Sequence, residues 1–209
     1  MPSPSLHDAL PLLPLKSIWA LMGMRKIASF LILSVTLLLG NASWADAKHS
    51  HTQGQTNDEI KAAHIFKFKK YVTWPEEALP ESTPLVIGVV GADEVAATLD
   101  QLVAKQENGK QPVIIKKLQT NGSVNGIHLL YIGQDRTLEL SDWLAQASGK
   151  PILFVTDTGT HMPPGSMINF IQEDDRIRFD VSLTAAEHSK IELSAALLTV
   201  ARQVYGGKL

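Results

Sequence analysis

Three continuous apolar runs of strand length constrain this chain more than any other feature. Leu85–Val90, Ile127–Ile132 and Pro151–Thr156 contain no acidic residue, lysine or arginine. Runs of this kind suit strands covered on both faces, whereas a half-exposed strand alternates apolar with polar positions. Segments of helical character lie between them. One runs from Glu94 to Gln106 after the turn Gly91-Ala92-Asp93, and another from Leu138 to Ala147, ended by Gly149. A further strand is expected over Pro112–Leu118. The order β-α-β-β-α-β predicts an α/β fold, with a mixed, mainly parallel sheet flanked by helices.

The flanks of this core read differently. Asn57 or Asp58 caps an expected helix whose apolar positions, from Ile60 to Val72, cover more than one face. Its expected end is Trp74, because Pro75 pushes the preceding residue out of the helical region. In the last third, Ser166–Ile171 and Arg176–Val181 alternate around the polar stretch Gln172–Asp175, which predicts an antiparallel hairpin. Residues 183–204 read as C-terminal helix with a break near Ser189-Lys190, apolar from Leu193 to Val204 and ended by Gly206-Gly207.

Upstream, Met24-Arg25-Lys26 precedes the apolar run Ile27–Gly40 and small residues up to Ala45, the parts of a secretory signal. Ile27–Trp44 reaches the lower edge of membrane-spanning length, so an uncleaved anchor is the alternative. The expected organisation is an over-called extension (1–23), a signal peptide (24–45) cleaved after Ala45 or Ala47, a flexible leader (46–57) and one α/β domain (58–209). Nineteen Lys+Arg against 21 Asp+Glu give a net charge of −2, so no global basic field attracts nucleic acid. With no cysteine, disulfides, thiolate nucleophiles and iron–sulfur clusters are excluded.

No catalytic set emerges. Gly88 and Gly91 sit between strand and helix, but the phosphate-loop and dinucleotide spacings are missing, and Asp93 and Glu94 would repel a phosphate. The seven histidines show no HExxH spacing, and His49 and His51 lie in the leader, so no metal or other cofactor is expected. Gly165-Ser166-Met167 lacks the frame of a nucleophile elbow. Glu173, Asp174 and Asp175 read as a solvated hairpin tip. Lys67, Lys69 and Lys70 form either a basic patch for a partner or a complement to the helix C-terminus. The loop Thr156–Gly165 follows a buried strand, where open α/β sheets bind ligands. Asp157, Thr158 and His161, facing Gly91, would line such a crevice, unless the loop is simply a rigid surface element.

The order of these motifs resembles the YfiR/HmsC-like periplasmic family. The residues that carry the resemblance are Lys61-Ala62-Ala63 through Phe68 to Trp74-Pro75, Val86–Gly91, Gly165–Phe170, Arg176–Phe179 and Ser194–Leu198. Together they span residues 58–204. The resemblance implies a non-enzymatic periplasmic regulator. Such a regulator restrains an inner-membrane diguanylate cyclase by binding its periplasmic part, and so lowers cyclic di-GMP and biofilm formation. It further implies that an outer-membrane lipoprotein can sequester the regulator, and that a homodimer forms. Two departures stand out. Redox control through disulfides cannot operate without cysteine, and Ser182 occupies a position where the family often carries Asn.

Within that reading, Lys70, Tyr71 and Trp74 at the exit of the first helix and Arg176 and Arg178 on the hairpin are the expected partner contacts, since aromatic residues and arginine anchor interfaces. The other reading is a small-ligand sensor with Gly91, Asp157 and His161 around its crevice.

Overall fold

The structure, a computed structural model, describes residues 46–106 and 111–207, with side chains from residue 57 onward. The extension 1–23 and the signal segment 24–45 lie outside the described residues. The chain divides into two units, Met1–His51 and Thr52–Leu209, and the sheet belongs to the second.

In chain order the elements are α1 (Asp46–Phe68), β1 (Val72–Thr73), β2 (Leu85–Val90), α2 (Asp93–Ala104), β3 (Val113–Leu118) and β4 (Leu129–Ile132). A 3-10 turn (Gln134–Glu139) leads into α3 (Leu140–Gln146) and β5 (Leu153–Gly159). Then come β6 (Ile168–Glu173), β7 (Arg176–Ser182), α4 (Leu183–His188), β8 (Glu192–Leu193), α5 (Ala195–Val200) and β9 (Gln203–Tyr205). Seven strands form one sheet in the order β3-β2-β4-β5-β6-β7-β9. Every neighbouring pair is parallel except the hairpin β6–β7. The expected mixed, mainly parallel α/β sheet is therefore the observed one.

The apolar runs fill both faces, as their lack of alternation requires. On face one, Ile87, Val89, Leu129, Tyr131, Val155, Phe170 and Phe179 pack under Ala62, Ile65 and Phe68 of α1 and Val95, Ala96 and Leu99 of α2. On face two, Val86, Val90, Leu130, Ile132 and Phe154 meet Leu140, Trp143 and Ala147 of α3. Each fully buried large side chain contributes about 1.5–3 kcal/mol, so the helices are held chiefly by these contacts.

Three sequence expectations need correction. Helix α1 begins at Asp46, so the stretch read as a leader is helical. It also ends at Phe68 instead of running to Trp74: the N–H groups of Lys70 and Tyr71 close a turn onto Lys67 and Phe68, and Val72–Thr73 then pair with β8. Pairing across the fold outcompetes helical periodicity there. The third concerns residues 193–204, which are not one helix. Ser194 caps α5 by accepting from Leu197 N at 3.3 Å, Ala201 is extended, and β9 pairs with β7. The physical reason lies on β7. Asp180 has no solvent exposure and takes the guanidinium of Arg202 in two hydrogen bonds of 2.8 and 2.6 Å, which draws the chain out of helix. Ser182 caps α4 by accepting from Ala185 N, a task that Asn performs equally well.

Candidate docking groove

Helix α1, strand β7 and helix α5 enclose a groove of about 400 Å³ on face one. Helical spacing places His64, Lys67, Phe68 and Tyr71 on one stripe of α1 and its exit, because residues three and four apart share a face. Ile177, Arg178 and Phe179 supply the opposite wall, and Ala196, Leu197 and Val200 supply the third.

The floor is an aromatic cluster. Phe68 meets Phe179 edge-on at 5.5 Å between ring centroids, and His64 meets Phe179 at 5.7 Å. Phe170 lies 6.2 Å from Phe68 and 6.2 Å from Tyr131. Such pairs add about 0.5–1.5 kcal/mol each beyond simple burial, so the floor is rigid. The rim is different. Tyr71 is 38% exposed and Val200 59% exposed, and both are open to a partner. Burial holds the His64 imidazole below its ordinary value, helped by the charge of Lys67, so the ring is neutral at neutral pH. Lys67 and Arg178 are the fixed charges of the lining, and no carboxylate is among its residues. An apolar groove with a cationic rim suits an apolar segment that carries acidic residues.

Of the expected partner contacts, the structure brings Tyr71 and Arg178 together in this groove. Lys70 is exposed at the exit of α1, and Arg176 is exposed next to the hairpin tip. Trp74 is a correction. It is 9% exposed, and its indole N–H donates to the carbonyl of His128 at 3.0 Å, so it locks the β1 segment to the sheet and offers no surface. Lys69 is likewise engaged: its ammonium donates to Gln106 at 2.6 Å and lies 4.0 Å over the Phe66 ring. Sequence reasoning missed His64, Phe179 and Val200 as groove residues. The stripe from His64 to Tyr71 is visible in the spacing, but apolar positions that cover more than one face do not say which of them stays uncovered.

The expected ligand crevice is not assembled. Asp157 is 5% exposed on face one, where it accepts from the Lys61 ammonium at 2.6 Å and the Tyr131 hydroxyl at 3.2 Å. It ties α1 to the sheet. Burial, and then the Asp157 charge, push the Tyr131 phenol well above its ordinary value, so it stays protonated and donating. Gly91 turns at φ 64° and lines a separate pocket of about 170 Å³ with Lys117 and Arg136, but with neither Asp157 nor His161. The side chain of Arg136 fills the space a Cβ at Gly91 would need, and Gly133 packs against the Gly91 backbone. The crevice between the ends of β2 and β4 is thus occupied by the protein itself.

His161 belongs to the opposite face, and Asn169 decides its position. The Asn169 carbonyl oxygen accepts from Thr156 Oγ1 at 2.8 Å and from Thr158 N at 3.1 Å. Its amide donates to Thr158 Oγ1 at 2.9 Å and to His161 O at 3.1 Å. All four hydrogen-bonding positions of the side chain are used, which ties the Thr160–Gly165 loop to the end of β5; Thr156–Gly159, expected as loop, are the last residues of that strand.

Among the described residues, no group of three or more His, Asp or Glu side chains is arranged to hold a metal ion. His128 is structural: its Nδ1 accepts from Val86 N at 3.0 Å, and burial lowers its imidazole below the ordinary value. No helix among the described residues is long and apolar enough to cross a membrane. The model of the YfiR/HmsC-like family matches this chain over residues 58–202, which takes in α2 to α5 and every groove residue.

Proposed function

The chain belongs to the YfiR/HmsC-like family, and from that premise we propose that it is a periplasmic regulator of cyclic di-GMP signalling that works by docking, without turnover. It binds the periplasmic part of an inner-membrane diguanylate cyclase and holds that enzyme inactive, which lowers cyclic di-GMP and biofilm formation. An outer-membrane lipoprotein competes for the regulator and releases the cyclase.

The observation that carries this reading is the groove between α1, β7 and α5. It has a rigid aromatic floor, and its rim combines an exposed tyrosine with an arginine, the residue types that dominate binding energy at interfaces. The test is affinity capture with tagged protein from detergent-solubilised membranes of its own cell. Enrichment of a diguanylate cyclase, lost in a Tyr71→Ala, Arg178→Glu variant that still folds, supports the regulator. Failure of the folded wild type to enrich a cyclase sinks it.

A further inference from the structure

Strand β7 has two edges with unequal cover. Toward β6 it is paired from Arg176 to Val181, but toward β9 only Asp180, Val181 and Ser182 have partners. The loop Asp174-Asp175 has both residues at positive φ (46° and 59°), so Glu173 and Arg176 form the hydrogen-bonded pair that closes a two-residue hairpin. In an antiparallel ladder, hydrogen-bonded and non-hydrogen-bonded pairs alternate. The N–H and C=O of Ile177 and Phe179 therefore point away from β6. The carbonyl of Phe179 takes Arg202 N at 2.8 Å. Among the described residues, no strand continues that ladder toward Arg176. Ile177 N–H, Ile177 C=O and Phe179 N–H form a short open length of sheet edge, and the groove runs beside it.

Side chains along this edge also alternate. Ile177 and Phe179 are buried on face one, whereas Arg176 and Arg178 are exposed. Of the nearby acids, Asp180 is held by Arg202 and Glu173 lies 3.8 Å from the same guanidinium, while Asp174 and Asp175 are exposed at the hairpin tip, beyond Arg176. A strand laid on the open length would send every second residue into the groove, toward Phe68, Tyr71 and Val200. The residues between would lie beside Arg176 and Arg178.

We propose that the open length of β7 receives an extended segment of the partner as an added strand, its residues alternating between apolar and acidic. The open backbone groups supply the ladder, the groove selects the apolar residues, and the two arginines select the acidic ones. This rests on the regulator reading and specifies how the same groove is used.

The test is amide hydrogen exchange on isotope-labelled protein expressed from the full chain, titrated with a capped octapeptide that alternates valine and glutamate. At saturation, exchange at Ile177 and Phe179 is expected to slow roughly tenfold or more, with no change on β3 at the far edge. Arg176→Glu combined with Arg178→Glu, both at exposed positions, is expected to weaken peptide binding about tenfold. Unchanged exchange at both amides overturns the proposal, as does equal binding by a peptide of four valines followed by four glutamates. Slowing that needs no peptide and grows with protein concentration identifies a second copy as occupant and overturns it too. Membrane capture separates this idea from its premise. Equal cyclase capture by wild type and the double-arginine variant removes only the added strand, and no capture by wild type removes the regulator reading.

Discussion

Asp157 and Asp180 are both buried carboxylates, two strands apart and on opposite faces, and the sheet neutralises them in different ways. Asp180 faces the planar fork of Arg202 in two short hydrogen bonds, with the Tyr205 hydroxyl at 3.5 Å. Asp157 faces the point charge of Lys61, which also lies 3.9 Å from Asp58. A guanidinium fork fixes direction as well as charge, whereas an ammonium on a flexible stem is shared among acceptors. The first arrangement dictates the path of the C-terminal strand. The second pins α1 while leaving its neighbour Asp58 poorly served, with its carboxyl raised above the ordinary value chiefly by burial.

Removing Arg202 tests the stronger arrangement. Arg202→Ala leaves Asp180 buried and unpaired, at an expected cost of about 3–5 kcal/mol in urea unfolding. Arg202→Lys should recover part of this, because it restores charge without the fork. Full recovery by lysine would erase the contrast between the two sites. Next comes Lys61→Met, with an expected loss of about 2–3 kcal/mol, smaller because Asp157 keeps the Tyr131 hydroxyl at 3.2 Å whereas Asp180 keeps only the Tyr205 hydroxyl at 3.5 Å. A larger loss than for Arg202→Ala would reverse the ranking.

Ser182→Ala should cost about 1 kcal/mol by uncapping α4 next to Asp180, and Ser182→Asn should be near neutral. The smallest effect expected is a pH slope from His64 and His128. Burial lowers both imidazoles, so the unfolded chain binds protons first. Stability is complete above the ordinary imidazole value of 6.5 and declines as pH falls from it toward the depressed folded values. Unfolding midpoints measured from pH 7.5 to 5.5 should drop, and His64→Gln with His128→Gln should flatten that slope. An unchanged slope in the double variant would place the titration elsewhere.

What could be read without coordinates follows from the range of the interactions. Leu85–Val90 forms β2 with the expected boundaries because a run buried on both faces announces itself locally. The β6–β7 hairpin was legible from its polar tip, although β6 is buried on both faces from Ile168 to Ile171, Gln172 and Glu173 join the strand, and only Asp174-Asp175 turn. Strand β9 was not legible. Val204 continues an apolar stretch that suits a helix, and the contact that overrides it joins Arg202 to Asp180 from another strand. The groove was half legible: Tyr71 and Arg178, singled out from the sequence, both line it, but nothing local says that β7 and α5 meet α1 beside them. Trp74 was misjudged because its partner, the carbonyl of His128, is a backbone atom that no residue pattern marks.

The saturated side chain of Asn169 bears on survival. A chain without cysteine meets proteases with no covalent brace, and irregular segments are where cleavage begins. A protease must draw several residues of its target into an extended form. Doing so at Thr158–His161 means breaking the Asn169 bonds to both of those residues. The segment that reads most like bait is thereby withheld, and Asn169→Ala should mark itself first as a new cut near His161 under limited proteolysis.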